Sequence, residues 1–358
     1  MKRRARELGL PFLGLTGPAN AITDVEGLEV GYKTLVGSGG DHEIRTGVTV
    51  ILPRGRSGPA FEPVWAGFHA LNGNGEMTGV HWIREGGFFQ GPIGITNTHS
   101  VGIVHHSLAR WMAEMNERER AAYAWMLPVV AETSDAFLND MNGFHVTEQD
   151  VHEAIDSATA GAIAEGNVGG GTGMTCFEFK GGTGTSSRVV TVGGRKLTVG
   201  SLVQANFGLR PQLRVLGVPV GEHLDADRIW AGEQGSIIAL VATDAPLLPT
   251  QLERLARRAG IGIARTGSYA GDGSGDLCLA FTTACAEPPK DDSAGCLQFL
   301  PNKSLDTLFE ATAQAVEEAI LNALVAAETM TGRDGRRAVA LDHEALRETM
   351  RAYRRLSG

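Results

Sequence analysis

Short apolar runs separated by glycine-rich polar segments dominate the pattern of this chain. Runs rich in valine, isoleucine and threonine, with turn residues at both ends, are typical of β-strands. The pattern predicts strands at residues 45–53, 64–71, 79–83, 94–98, 127–133, 187–192, 197–206, 236–243 and 276–283.

Longer segments with apolar residues at helical spacing lie between these strands. Thr147 opens one of them as a helix N-cap, with Asp150 three residues later. Helices are predicted at residues 108–122, 147–164, 249–259 and 305–327. Without repeats or a low-complexity linker, this order indicates one α/β unit of residues 1–358 in which helices cover stacked sheets.

Composition narrows the class of protein. A 42% hydrophobic and 20% charged chain is typical of a soluble globular protein. The net charge of −9, without a dominant Lys/Arg run, argues against nucleic-acid binding, and no apolar run approaches the roughly 18 residues of a membrane span. The 48 glycines are about twice the number expected at average usage, which indicates many tight turns.

Cysteine usage suggests the cellular compartment. The cysteines form no C-x-x-C pair, and the N-terminal segment lacks the apolar region and cleavage site of a signal peptide. Reduced thiols and a cytoplasmic location are therefore expected. The four cysteines are Cys176, Cys278, Cys285 and Cys296.

Familiar catalytic motifs are not found. The glycine-rich segment 166–173 lacks the spacing of G-x-G-x-x-G and has no Gly-Lys-Ser/Thr, so close backbone packing is favoured over phosphate binding. His99, His105 and His106 are neighbours, but no H-E-x-x-H occurs. The G-x-S-x-G of hydrolases is absent too. No motif recommends a metal site, an organic cofactor or a Ser-His-Asp triad.

Four other positions carry candidate chemistry. Glu132 and Asn206 each end a predicted strand, where a carboxylate or an amide could face a pocket or could serve only a cap or turn. The polar segment 271–276 precedes a strand and is by itself a turn. Ser236 follows Gly235 at the start of an apolar strand; it is either an ordinary strand start or a nucleophile that chain cleavage would expose.

Motifs spread over most of the chain resemble those of a known family, the self-processing N-terminal-serine aminopeptidases of the DmpA and BapA type. That family includes L-aminopeptidase/D-esterases and β-peptidyl aminopeptidases. No single motif is decisive, but their order along the chain is specific. They are NAITDV at 20–25, RTGVT at 45–49, NGNGE at 72–76, VAET at 130–133, LND at 138–140, GNVGGGTGM at 166–174, VQANFG at 203–208, GS at 235–236, ATDAPL at 242–247 and the loop containing Ser274.

The resemblance implies a fold and a maturation step. The implied fold is a four-layer αββα sandwich, like N-terminal-nucleophile hydrolases in layering but different in connectivity. The implied step is self-cleavage between Gly235 and Ser236, giving an α chain of residues 1–235 and a β chain of residues 236–358. Glycine leaves the attacked carbonyl unhindered, and the freed α-amine, with an ordinary pKa of about 7.7–8.0, can act as base for its own hydroxyl.

The resemblance also implies a role for each candidate residue. Ser236 would be the nucleophile, Asn206 an oxyanion donor, and Glu132 the group that binds the free ammonium of the substrate. Ser274 and Asp276 would orient the amine and hydroxyl of Ser236. This chain departs from the family at two positions: the family often has glutamate where Asp276 stands, and many members have a tyrosine shortly after the strand glutamate.

We therefore expect a cytoplasmic serine hydrolase that removes N-terminal residues from small peptides, amides or esters with a free amine, through an acyl-enzyme on Ser236. No metal or organic cofactor is expected, and the resemblance suggests a homo-oligomer of αβ units, a tetramer. Two alternatives stay open: an acyltransferase of the ornithine acetyltransferase type, which uses an N-terminal threonine after alanine, and a non-catalytic small-molecule-binding protein.

Overall fold

The computed structural model describes residues 3–39, 42–58, 62–118, 125–230, 232, 235–284 and 297–356. The strands are β1 (Glu29–Gly39), β2 (His42–Leu52), β3 (Val64–Gly73), β4 (Phe88–Phe89), β5 (Ile93–Thr96), β6 (Val129–Glu132), β7 (Thr175–Cys176), β8 (Phe179–Lys180), β9 (Gly182–Val192), β10 (Arg195–Asn206), β11 (Gly235–Thr243), β12 (Ser274–Thr282), β13 (Met330–Thr331) and β14 (Arg337–Ala338). The helices are α1 (Val80–Gly86), α2 (Val101–Arg118), α3 (Glu148–Asp156), α4 (Val220–His223), α5 (Pro249–Arg265), α6 (Asp306–Ala326) and α7 (His343–Ala352).

Two stacked sheets with helices on both outer faces form the body of the molecule. One sheet has the strand order β1-β2-β5-β6 and is covered by α2 and α3. The other has the order β4-β3-β12-β11-β10-β9 and is covered by α5 and α6. This confirms the four-layer αββα sandwich.

Three apolar cores follow from the alternation of side chains along the strands. On β11, Ile238 and Leu240 point into the core between the two sheets. Ile237 and Ala239 point the other way, into the core under α5 and α6. A third and smaller core lies between the four-stranded sheet and α2 and α3. Strand β11 is thus buried on both faces, as its continuous apolar run predicts.

Strand β11 is also central in the order of its sheet. It pairs antiparallel with β10 and parallel with β12, and α5 makes the crossover between β11 and β12. In the register with β10, Ser236 lies opposite Asn206 at the same end of the sheet. The topology therefore brings two of the candidate residues together.

Glycine allows close packing at two places that matter for the fold. A Cβ on Gly184 of β9 would lie 2.0 Å from the carbonyl oxygen of Ala319 in α6. A Cβ on Gly170 would lie 2.2 Å from Oε1 of Gln204 on β10. The glycine-rich segment is therefore packed against protein, which confirms the prediction of close backbone packing there.

Residues 79–83 were predicted as a strand, and this prediction was wrong, because they belong to α1 and the glycine before it. Gly79 and Gly87, both with φ of +78°, flank this short helix. A brief apolar run does not by itself distinguish a strand from a buried helix, so its flanking glycines decide.

The helix predicted through residue 164 was also too long, since α3 ends at Asp156. Beyond it, Oγ of Ser157 accepts a hydrogen bond from the Tyr32 backbone at 2.9 Å. Val30 and Thr159 then exchange backbone hydrogen bonds of 3.0 and 3.1 Å. Pairing with β1 thus ends the helix. This contact between distant segments cannot be predicted from the apolar periodicity of residues 147–164.

The boundaries of the other helices and strands differ less from the predicted ones. Helix α2 begins before the predicted residue 108, and residues 119–122 of that prediction lie outside the described residues. The segment 208–235, for which the sequence pattern predicted neither strand nor helix, contains a short 3₁₀ turn and α4. Cys176 and Cys278 are free and buried, whereas Cys285 and Cys296 lie outside the described part. Within the described ranges, no helix is both long and apolar enough to cross a membrane.

The replacement Gly184→Ala tests the contact between β9 and α6. The added methyl group would meet helix backbone, which cannot rotate away, so we expect the free energy of unfolding to fall by about 1–3 kcal/mol. Chemical denaturation followed by circular dichroism measures the change. Gly37→Ala on β1 is the matched control, because no atom lies within 4 Å of the added Cβ. Equal stability of the two variants would contradict this account of the packing.

Candidate active site

A cavity of about 670 Å³ opens where the ends of β10 and β11 face the end of β6 in the other sheet. It receives side chains from both sheets and from the loops that follow them. It is lined by Asn74, Gly75, Glu76, Thr98, Glu132, Ser134, Ala136, Phe137, Met141, Thr175, Asn206, Trp230, Gly235, Ser236, Gly273, Arg333 and Arg336. Four of the sequence-predicted residues, Glu132, Asn206, Gly235 and Ser236, thus meet in one cavity.

Gly235 and Ser236 form the first two positions of β11. Gly235 has a φ of +146°, and a Cβ there would lie 2.1 Å from the carbonyl oxygen of Asn206, so glycine is required for two reasons. Ser236 is 7% exposed, and its Oγ accepts a hydrogen bond of 3.1 Å from the backbone N–H of Gly275. The serine hydroxyl is therefore held at the cavity wall beside the bond that precedes it.

Asn206 is oriented by its neighbours on both sides of the amide. Its Oδ1 accepts a hydrogen bond of 2.9 Å from the backbone N–H of Thr175, and its Nδ2 donates one of 2.9 Å to the carbonyl of Ser134. Lys180, fully buried, donates to the carbonyls of Met174 and Gly181 at 2.8 and 2.9 Å and so holds the turn that carries Thr175. An amide nitrogen has a second N–H, which remains for a ligand in the cavity.

Glu132 presents a carboxylate at the end of β6. Its Oε1 accepts a hydrogen bond of 3.0 Å from the backbone N–H of Glu76, and its Oε2 accepts one from the hydroxyl of Thr98. Burial raises the pKa of Glu132 above its ordinary value, and these two hydrogen bonds partly offset the rise. A buried carboxylate without a basic side chain among these partners is suited to binding a cation from outside.

Ser274 and Asp276 are placed differently from the other candidates. Neither lines the cavity; both are fully buried, and Oγ of Ser274 donates a hydrogen bond of 2.8 Å to Oδ1 of Asp276. Cys278, two residues further on, packs in the core under α5 and α6, so this face of β12 points away from the cavity. The N–H of Gly275, between the pair, is the group that contacts Ser236.

The loop before β12 is held in place by hydrogen bonds from β3. Nδ2 of Asn72 donates to the carbonyls of Gly271 and Asp272 at 3.0 and 3.1 Å and also to that of Ser274. Gly273 of this loop lines the cavity. Asn72, near the end of β3, thus positions the loop next to Ser236.

Several cavity residues were missed by sequence reasoning. Thr98 and the backbone of Glu76 bind Glu132, and Phe137 stacks edge-to-face on Trp230 with ring centroids 5.0 Å apart. Glu178 holds the segment of Trp230, because its Oε2 accepts the backbone N–H groups of residues 229 and 230 at 2.5 and 3.3 Å. Of these contacts, only the one between Glu76 and Glu132 involves a motif recognised in the sequence, NGNGE at 72–76.

Within the described residues, the histidines do not form a catalytic or metal site. Of the described residues that line the cavity, none is histidine or lysine. His99 stacks on Phe144 with ring centroids 5.5 Å apart, outside the lining. Across the described part of the chain, no group of three or more His, Cys, Asp or Glu residues is arranged to hold a metal ion.

The cavity therefore combines a serine hydroxyl, an amide donor on the opposing strand and a buried carboxylate. A hydroxyl next to an N–H donor is the arrangement needed for acyl transfer, in which charge develops on a carbonyl oxygen. The carboxylate adds a place for a cationic group of the substrate. Together these features suit hydrolysis of an amide or ester that carries an amine.

Comparison with known proteins agrees with this chemistry. The model of Peptidase family S58 matches residues 20–338. The chain is 49% identical to β-peptidyl aminopeptidase BapA of Sphingosinicella microcystinivorans, with 99% of this chain and 93% of the relative covered. It is 44% identical to the protein of the same name from Sphingosinicella xenopeptidilytica, over 98% of this chain and 91% of the relative.

Solved structures give the same result. The L-aminopeptidase D-Ala-esterase/amidase of Ochrobactrum anthropi, described as a prototype of the serine aminopeptidases with a variant of the Ntn hydrolase fold, superposes with a TM-score of 0.93 at 49% identity, over 99% of this chain and 100% of that one. A β-aminopeptidase of a Burkholderia species gives a TM-score of 0.89 at 49% identity, over 98% and 99%. The chain therefore belongs to peptidase family S58 and is a hydrolase, a serine aminopeptidase of the amidase-esterase type.

Proposed function

We propose that this aminopeptidase matures by cutting its own chain between Gly235 and Ser236, and that the new N-terminal serine is its nucleophile. The observation that carries the proposal is the placement of Ser236 Oγ in the cavity wall, directly after a glycine that the backbone there requires. The absence of histidine and lysine from the described lining supports an amine base that cleavage itself supplies.

Cleavage would proceed by an N-to-O acyl shift. Oγ of Ser236 attacks the carbonyl carbon of Gly235, the C–N bond breaks, and the proton passes to the nitrogen of Ser236. Water then hydrolyses the resulting ester, leaving a carboxylate on Gly235 and a free amine on Ser236. The α chain would comprise residues 1–235 and the β chain residues 236–358, as one folded unit.

Turnover uses the freed amine as the base. With an ordinary pKa of about 7.7–8.0, it accepts the proton of Oγ near neutral pH while Oγ attacks the substrate carbonyl. The second N–H of Asn206 stabilises the oxyanion, a contribution of roughly 3–4 kcal/mol in other acyl-transfer enzymes. The ammonium protonates the leaving group, and water releases the acyl group from Ser236. Ser274 and Asp276 are proposed to orient the Ser236 amine from beneath the strand.

Glu132 gives the proposed enzyme its exopeptidase character. Its buried carboxylate would pair with the free ammonium of the substrate and so place the adjacent carbonyl at Ser236. The substrates proposed are small peptides, amides and esters with a free amine. The matched relatives are named as aminopeptidases, which favours this function over an acyltransferase or a binding protein.

A cytoplasmic location and assembly of αβ units into a homo-oligomer, a tetramer, remain predictions that rest on the composition and on the family resemblance. Light scattering of the purified protein measures the assembly. Exposed apolar side chains such as Leu13, Leu15 and Phe144 are available for such contacts.

The replacement Ser236→Ala removes the proposed nucleophile of both reactions. We expect intact-mass analysis to show one uncut chain and the hydrolysis of aminoacyl p-nitroanilides to be lost, whereas the unchanged protein gives two fragments, the smaller beginning with Ser236. Ser201→Ala is the matched control, because Ser201 is a fully buried serine of the neighbouring strand outside the cavity. An uncut unchanged protein that still hydrolyses these substrates would overturn the cleavage step.

The replacement Glu132→Gln tests recognition of the ammonium. Loss of a charged hydrogen bond should raise KM for aminoacyl p-nitroanilides roughly 10- to 100-fold, with a smaller change in kcat. Because burial raises the pKa of Glu132, KM of the unchanged enzyme should increase as the pH falls through that pKa, and the glutamine variant should lack this increase. Equal KM values for substrates with and without the amine would contradict the role of Glu132.

A further inference from the structure

Two arginines, Arg333 and Arg336, line the cavity but have no part in the reaction described above. They belong to the short loop that joins β13 to β14. Their side chains are 41% and 40% exposed, so both guanidinium groups reach solvent at the cavity wall. The loop lies far along the chain from the other cavity residues and was not singled out by the sequence.

The arginine loop is held against the segment that follows β6. The backbone N–H of Arg333 donates a hydrogen bond of 2.8 Å to the carbonyl of Leu138. A Cβ on Gly332 would lie 2.0 Å from that same oxygen, so glycine allows the close approach. The guanidinium of Arg336 lies over the ring of Phe137, 5.8 Å from its centroid. The arginines are therefore positioned by the cavity wall itself.

The pair already binds a carboxylate. Nε of Arg333 and Nη2 of Arg336 both approach Oδ2 of Asp334, at 3.3 and 3.4 Å. One carboxylate between two guanidinium groups leaves a net positive charge at this wall. Guanidinium groups present several donors in a plane and suit the two oxygens of a carboxylate.

The opposite charge lies at the other end of the same chain segment. Glu132 begins the segment, Ser134 accepts the hydrogen bond of Asn206 in its middle, and Phe137 lies under Arg336. Phe137 is five positions after Glu132 in the chain, which limits their Cα separation to roughly 16–18 Å. An acidic end and a basic end of this segment thus line the same cavity as the reacting serine, at a separation that a short peptide can span.

We propose that Arg333 and Arg336 bind the free carboxylate of the amino acid that leaves during hydrolysis, while Glu132 binds the ammonium at the other end of the substrate. This inference rests on the proposed function, because it assumes that the substrate amine sits at Glu132. The enzyme then selects short peptides with both termini free. An amide, an ester or a p-nitroanilide lacks the second charge and loses this contact.

The double variant R333Q/R336Q tests the proposal with two pairs of substrates. These are L-alanyl-L-alanine and β-alanyl-L-alanine, each as the free acid and as the C-terminal amide. Because the arginines are partly exposed, we expect KM for the free acids to rise about five- to tenfold, with kcat changed less than twofold. KM for the amides and for the matching aminoacyl p-nitroanilides should not change.

R337Q is the matched control, because Arg337 is the next arginine along the chain, is exposed and does not line the cavity. It should leave the KM of acid and amide unchanged. Intact-mass analysis of the double variant checks that maturation is intact. Equal increases in KM for acid and amide, or no increase for either, would overturn the carboxylate site.

A failure of the proposed function gives a different result. If the unchanged enzyme hydrolyses none of these probes, the aminopeptidase mechanism is at fault, and binding of the free-acid dipeptides is measured instead by calorimetry. Tighter binding of acid than amide, lost in R333Q/R336Q and kept in R337Q, would support the arginine site. Equal binding of acid and amide by the unchanged protein would overturn it.

Discussion

The close approach of Gly235 to the backbone of Asn206 is the constraint on which the site depends. It exists because β10 and β11 stay paired as far as Asn206 and Ser236, which leaves no room for a side chain at position 235. The same pairing puts the Ser236 hydroxyl and the Asn206 amide at the same end of the sheet. The amide is then oriented from the other side by the Thr175 N–H, through a turn held by the buried Nζ of Lys180.

The charged and the neutral groups of the cavity come from different parts of the four-layer fold. The four-stranded sheet supplies Glu132 at its end, where burial raises the carboxyl pKa, and the six-stranded sheet supplies the neutral hydroxyl and amide groups. A loop from the C-terminal part of the chain supplies Arg333 and Arg336. In the proposed mechanism, the charged groups that bind the two ends of the substrate are therefore separate from the groups that act on its carbonyl.

The sequence predicted most of the strands and the long helices, because their apolar periodicity is local. The prediction was wrong at residues 79–83, where the flanking glycines rather than the apolar residues determine the secondary structure. It was also wrong after Asp156, where pairing with β1 ends the helix. Glu132, Asn206 and Ser236 were found because each stands at a strand end within a recognisable motif. Thr98 and Arg333 were not, since their positions in the cavity result from contacts between distant segments.

The position of β11 and β12 has a consequence for refolding. In the strand order β4-β3-β12-β11-β10-β9, β11 and β12 lie between strands that precede residue 235 in the chain, and α5 and α6 cover this sheet. Neither piece of a cut molecule could close the six-stranded sheet alone. Cleavage would thus change folding from a unimolecular event into a bimolecular one, so recovery after denaturation would depend on concentration. The lifetime of the folded mature enzyme would then depend on its unfolding rate rather than on its equilibrium stability.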